Sequence, residues 1–130
     1  MTPYKETIGD STPNRWDAIF SALQTEPRRQ LILSLTQSEI APLPMSAMGS
    51  KLQLTHDELT IELIHRHLPH LENREFITWT KEPFLAKRGN RFDELDFIVR
   101  SIMKNAEFLP DSLQVPCMDA TLSQQTGSAD

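Results

Sequence analysis

Cysteine, glycine and tyrosine are scarce in this chain: one, four and one in 130 residues. A lone cysteine, Cys117 in "LQVPCMDA", can close no intrachain disulfide and can supply no cysteine-based metal cluster. It reads as an idle thiol in a tail. There is no Gly-rich phosphate loop, no nucleophile elbow and no HExxH motif. The carboxylates Asp93, Glu94 and Asp96 are explained as acids at a helix start. No enzymatic activity and no cofactor are expected. No apolar run approaches the roughly 18 residues that would cross a bilayer. The stretch "MTPYKETIGDSTPNRW" lacks the basic and apolar regions of a signal peptide. A cytoplasmic protein without membrane association is the expectation.

Positive charge is also short overall. Thirteen Lys and Arg stand against 18 Asp and Glu, a net charge of −5, which argues at first against nucleic acid. The distribution weakens that objection. Residues 105–130 carry Glu107, Asp111, Asp119 and Asp130 and no Lys or Arg, whereas residues 51–104 hold nine acids and nine bases. Within them Lys81, Lys87, Arg88 and Arg91 face only Glu82 over eleven residues, a local basic patch that whole-chain charge does not describe.

The pattern along the chain suggests one domain over residues 13–104, between a flexible N-terminal tail (1–12) and an acidic, disordered C-terminal tail (105–130). Ser/Thr followed by Pro13 marks a helix start. Trp16, Ile19, Phe20 and Leu23 then fall on one helical face. Pro27 restarts the pattern, with Leu31, Ile32, Leu33 and Leu35 buried. "EIAPLPMSAMGSKLQ" reads as loop with a short helix near 44–51. Thr55 and Glu58 form a capping box, with Leu54 and Leu59 as its hydrophobic staple. Ile61, Ile64, Leu68 and Leu71 continue a buried face, and Pro69 predicts a kink or break. "FITWT" and "LAKR" read as a hairpin around "KEPF". Asn90 is the expected cap of a last helix with Phe92, Leu95, Ile98, Val99 and Ile102 inward. The fold class is mainly α with a small β-hairpin, arranged as a winged helix-turn-helix.

Two stretches extend this reading. "RWDAIFSALQTEPRRQLILSL" resembles the opening of archaeal ArsR-like winged-helix domains. "IELIHRHLPHLENREFITW" followed by "RGNRFDEL" is similar to a family of mostly uncharacterised haloarchaeal winged-helix domains with a histidine-rich segment before the wing. The likeness covers about residues 14–102 and implies a DNA-binding transcriptional regulator. Where those domains usually have glycine before the wing strand, this chain has Glu75. Its "PLPMSAMGSKLQ" segment is proline-rich and poor in charge.

The histidines do not make a convincing metal site. His65 and His67 are two apart on a helix and point to nearly opposite sides, Pro69 lies between His67 and His70, and His56 is more than a turn away. Packing around the kink, with hydrogen bonds to backbone, is the expected role. Candidate contacts to double-stranded DNA are Arg66, His70 and Asn73 on the helix and Lys81, Lys87, Arg88 and Arg91 on the wing. Arg28 and Arg29, at the start of the second helix, are candidates for DNA-backbone contacts or for pairing with a carboxylate. Four wing cations on phosphates would give a slope of roughly −3.6 in log K against log salt. A homodimer through the first and last helices is the expected assembly. The alternative is a winged-helix interaction or dimerisation module that binds no DNA, favoured by the outward Glu58 and Glu62, by Glu75 and by the negative net charge.

Overall fold

The leucine-rich second stripe produces the best-buried element. Thr25 accepts a hydrogen bond from the Arg28 amide and caps the helix Glu26–Gln37, and Pro27 sits in its first turn, where its missing N–H costs nothing. Leu31, Ile32, Leu33 and Leu35 are all at most 1 % exposed, so both sides of this helix meet other elements. A computed structural model of the chain describes residues 10–45 and 54–113, with side chains from 14 onward.

In chain order the elements are α1 (Asp10–Ala22), α2 (Glu26–Gln37), β1 (Ile40–Pro42), α3 (His56–Glu62), a π-helical turn (Leu63–His67), α4 (Leu68–Asn73), β2 (Ile77–Lys81), β3 (Phe84–Arg88) and α5 (Phe92–Lys104). Two 3-10 turns follow, Ala106–Phe108 and Asp111–Leu113. The protein is mainly helical with a three-stranded antiparallel sheet in the order β1-β3-β2. Ala41, Ala86 and Trp79 lie side by side on the core face, and Ile40, Lys87 and Thr78 on the other. The sheet packs through β2 on α4 and through β1 on α2, which also meets α5 and the π turn.

Several expectations change. The hairpin is there, but β1, read as loop, adds a third strand. Helix α1 begins at Asp10, inside the segment read as tail, and the 3-10 turns lie inside the other tail. The expected short helix near 44–51 falls almost wholly outside the described residues. Half of the first apolar stripe is on the surface: Ile19 is buried beside Ala18 and Ala22, whereas Trp16 and Phe20 are 45 % and 65 % exposed. Asn90 does not cap α5; its N-cap position is Arg91, with no side-chain bond.

The capping box at Thr55 and Glu58 is formed, each side chain bonding the other's backbone N–H. Beyond it Pro69 neither breaks nor visibly ends the helix. The chain widens by one residue instead, and the Leu68 amide reaches the carbonyl of Leu63. The wider turn accompanies a proline whose ring would crowd the carbonyl four residues back. It also rotates the buried face: Leu59, Leu63, His67, Leu68 and Leu71 point inward, while Ile61 is 56 % exposed. Counting at 3.6 residues per turn across the π turn is what puts Ile61 on the expected buried face.

Glu75 joins α4 to β2 with φ 66°, a left-handed conformation that glycine adopts without cost. Across the hairpin root, Gly89 donates to the Phe76 carbonyl at 2.8 Å. A β-carbon there would stand 2.7 Å from the Glu75 carbonyl oxygen and from the Ile77 nitrogen, so only glycine fits.

Candidate nucleic-acid interface

The first turn of α2 points Arg28 into the protein. It is 3 % exposed, and its guanidinium donates from Nη2 to the Ser21 carbonyl at 2.9 Å and from Nη1 to His67 Nδ1 at 3.0 Å. Since arginine can only donate, Nδ1 must carry no proton, and His67 is the Nε2–H tautomer. The π turn brings His67 to this position. One turn on, His70 Nε2 lies 2.7 Å from Ser21 Oγ, and the His70 carbonyl accepts from Arg74. The four residues Ser21, Arg28, His67 and His70 thus tie α1 and α2 to the long helix.

Both histidines are held neutral. Burial, and then the Arg28 cation, lower each pKa to about 4. Arg66 adds to both, and Glu62 partly opposes the shift at His67. Burial lowers the pKa of Arg28 as well, with Arg66, Arg74 and Arg29 adding. Arg28 and His70 are therefore joints of the fold, which corrects their assignment to DNA. Sequence flagged the histidines as structural but had no signal for their partners Ser21 and Arg28, 49 and 39 residues away.

The other cations divide in the same way. Arg88 reaches back to the end of α2, where carbonyls have no helical partner, and donates to Leu35 O at 2.7 Å and Thr36 O at 3.4 Å. Its guanidinium also lies over the Phe92 ring, 5.6 Å from the centroid. Arg100 of α5, bonded to Asp96, donates to the same Thr36 carbonyl. Arg91 pairs with Glu94 at 3.3 Å and stands 3.9 Å from Glu75. Arg29 donates to the Leu23 carbonyl and pairs with Glu26, the carboxylate alternative for that residue. Arg88, Arg91 and Arg29 thus have partners within the chain, and Arg88 and Arg91 remain exposed beside them.

Six of the nine candidates are exposed, Arg88 and Arg91 with contacts inside the chain and four others more openly. Arg66 makes a 3.4 Å pair with Glu62, the i, i+4 pair its spacing predicts, and is 62 % exposed. Asn73 is exposed at the end of α4. Lys81 and Lys87 are exposed on the hairpin, and among the described residues neither has an ion-pair or hydrogen-bond partner. Their register separates them: Lys81 is paired with Phe84 and Lys87 with Thr78, which alternation assigns to opposite faces of the hairpin. Trp79 packs on the core, edge-on to Phe84, and donates to Glu72 at 3.0 Å.

Among the described residues no group of three or more His, Cys, Asp or Glu side chains could hold a metal ion. No described helix is long and apolar enough to cross a membrane. Comparison with protein-family models, with curated proteins and with solved structures finds no match, so the site rests on the chain's own residues.

Proposed function

We propose that this chain is a cytoplasmic DNA-binding regulator of the winged helix-turn-helix type, acting by occupancy and not by chemistry. The observation that carries the proposal is the pair Lys81 and Lys87. Most arginines of the domain are engaged by backbone or carboxylates, yet these two lysines stand free on opposite faces of one hairpin. A hairpin entering the minor groove would bring one lysine toward each phosphate strand. The sheet order β1-β3-β2, with the helix α3 to α4 packed beside the hairpin, is compatible with that layout. Arg66 and Asn73 are the helix residues left to meet bases, beside the acids Asp57, Glu62 and Glu72.

The consequence is weak binding led by phosphates. With Arg66, Lys81 and Lys87 in contact, the slope of log K against log salt is roughly −2.7 per copy. Fluorescence anisotropy with a mixed duplex pool at low and moderate salt tests it. Salt-steep binding that Lys81→Ala, Lys87→Ala removes is expected; folded protein that stays unbound at low salt would sink the proposal. A second reading, an interaction module without DNA, is favoured by the exposed aromatics Trp16, Phe20 and Phe97.

A further inference from the structure

We infer that the groove between the start of α2 and the π turn is a binding site for a small α-amino acid with an apolar side chain. The inference stands apart from DNA binding and rests on three observations.

First, a buried donor opens onto this groove without an acceptor. The groove measures about 470 Å³, a size usual for small-molecule sites, and His67, Arg66, Glu62, Leu54 and Pro27 are among its walls. The His67 ring is 3 % exposed, and its Nδ1 is taken by Arg28 in the core. That bond fixes the proton on Nε2, at the other edge of the ring, toward the groove-lining Glu62. Nε2 stands 4.0 Å from Glu62 Oε1, beyond hydrogen-bond reach, and has no hydrogen-bond partner among the described residues. A donor set this deep favours a ligand acceptor, because a hydrogen bond is stronger in a low-dielectric recess than in water.

Second, the charges beside that donor come in both signs and are loosely held. Arg66 Nη1 and Glu62 Oε1 are 3.4 Å apart, with side chains 62 % and 43 % exposed, a pair that opens at little cost. Glu62 Oε1 lies within 4.0 Å of both Arg66 and His67 Nε2, so a ligand carboxylate oxygen brought slightly closer accepts from both. Glu62 is then released to take an ammonium, while Glu26 on the facing wall stays bonded to Arg29 and Gln30. An α-amino acid carries both groups on neighbouring atoms and exchanges one weak surface pair for two charge-assisted ones. A simple anion would be opposed by Glu62 and a simple cation by Arg66, which leaves the zwitterion as the fitting class.

Third, the recess has an apolar side. Pro27 and the half-buried Leu54 line it with carbon, and Leu54 packs against the core behind. Thr25, also on this wall, gives its hydroxyl oxygen to the Arg28 amide. An aliphatic side chain laid on Pro27 and Leu54 leaves water, whereas a polar one loses its hydration there.

The test is isothermal titration of the full chain, without DNA, with L-leucine, L-valine and L-methionine in turn. The expected result is binding of L-leucine with a dissociation constant on the order of 0.1 mM. Isocaproate, which lacks the amine, and isoamylamine, which lacks the carboxylate, bind about 10-fold more weakly or worse. Arg66→Ala and Glu62→Gln, both at exposed side chains, each weaken leucine binding by about 10-fold. Phe97→Ala, which lines other grooves, leaves it unchanged. Imidazole nitrogen NMR of the wild type reads the buried donor directly: the His67 Nε2–H resonance moves on binding, and those of His56 and His65 stay. No binding of any of the three amino acids up to about 10 mM, isocaproate that binds as tightly as leucine, or an unmoved His67 resonance each overturns the inference.

Discussion

Arg28 Nη1 lies 3.0 Å from His67 Nδ1, a cation and a neutral imidazole joined in the core across 39 residues of chain. Arg28 Nε is buried with no partner, so the site carries a desolvated charge that is incompletely bonded. Arg28→Ala, which removes the side-chain volume and strands the Ser21 carbonyl and His67, is expected to cost about 3 kcal/mol. Arg28→Met keeps most of that volume without a buried charge and should cost clearly less. Urea denaturation of the two variants measures the difference.

Acid should weaken the fold through the same pair of histidines. In the unfolded chain each protonates near 6.5, whereas in the fold both stay neutral down to about 4. Between these values the unfolded state binds more protons, so stability is fully present above pH 6.5 and falls as pH drops toward 4. The loss is on the order of 3 kcal/mol at most for the buried His67 and smaller for His70, which is partly exposed and screened by solvent. Melts from pH 8 to pH 4 follow it, and His70→Gln should flatten the curve by removing one of the two groups.

Arg88 and Lys87 are neighbours with opposite roles. Arg88→Ala removes the donor to the Leu35 carbonyl and one of two donors to the Thr36 carbonyl, and is expected to lower stability by about 1–2 kcal/mol. Lys87→Ala, exposed and unpaired among the described residues, should leave stability within about 0.5 kcal/mol, and under the proposed function it weakens DNA binding. Melting and anisotropy on the two single variants separate these effects, which a double variant would merge.

The π turn makes a sharp forecast about two neighbours. Leu63→Ala, at a fully buried position, should cost about 2–5 kcal/mol. Ile61→Lys, two residues earlier and exposed, should be near neutral. Chemical denaturation decides, and equal costs would mean that the buried face follows uninterrupted α-helical spacing.

At the root of the hairpin, Glu75 and Gly89 should respond in opposite directions. Glu75→Gly relieves a left-handed residue with a β-carbon and is expected to stabilise by about 1 kcal/mol, at the cost of one exposed ion pair. Gly89→Ala drives a methyl into the Glu75–Ile77 backbone and should destabilise by about 2 kcal/mol or more. Thermal melts are enough for both.

Local chemistry explains what was legible in advance. The Thr55 box, the leucines of α2, the hairpin and the last helix all announce themselves within a few residues, through caps, period and β-branched composition. The exposed pair Glu62–Arg66 follows from spacing alone. What stayed hidden depends on long-range pairing. β1 is three residues long and bears Pro42, so nothing local distinguishes it from loop. Charge type says that Arg28 and Arg88 are cations but not whether they face water or helix ends. Phe97 did carry a signal: it falls off the stripe of Phe92, Leu95 and Val99, and a large aromatic off the stripe is one left for surface.

Thr36 gives its carbonyl to Arg88 of β3 and to Arg100 of α5 at once. Phe97 stands less than one turn before Arg100, and Lys87 is the residue before Arg88. The last helix and the hairpin thus share one carbonyl oxygen at the end of α2, beside the separate bond of Arg88 to the Leu35 carbonyl. One end of α2 is therefore the common seat of two cations from opposite ends of the wing-to-helix segment, and Thr36→Pro or any change that displaces that carbonyl would be felt at both.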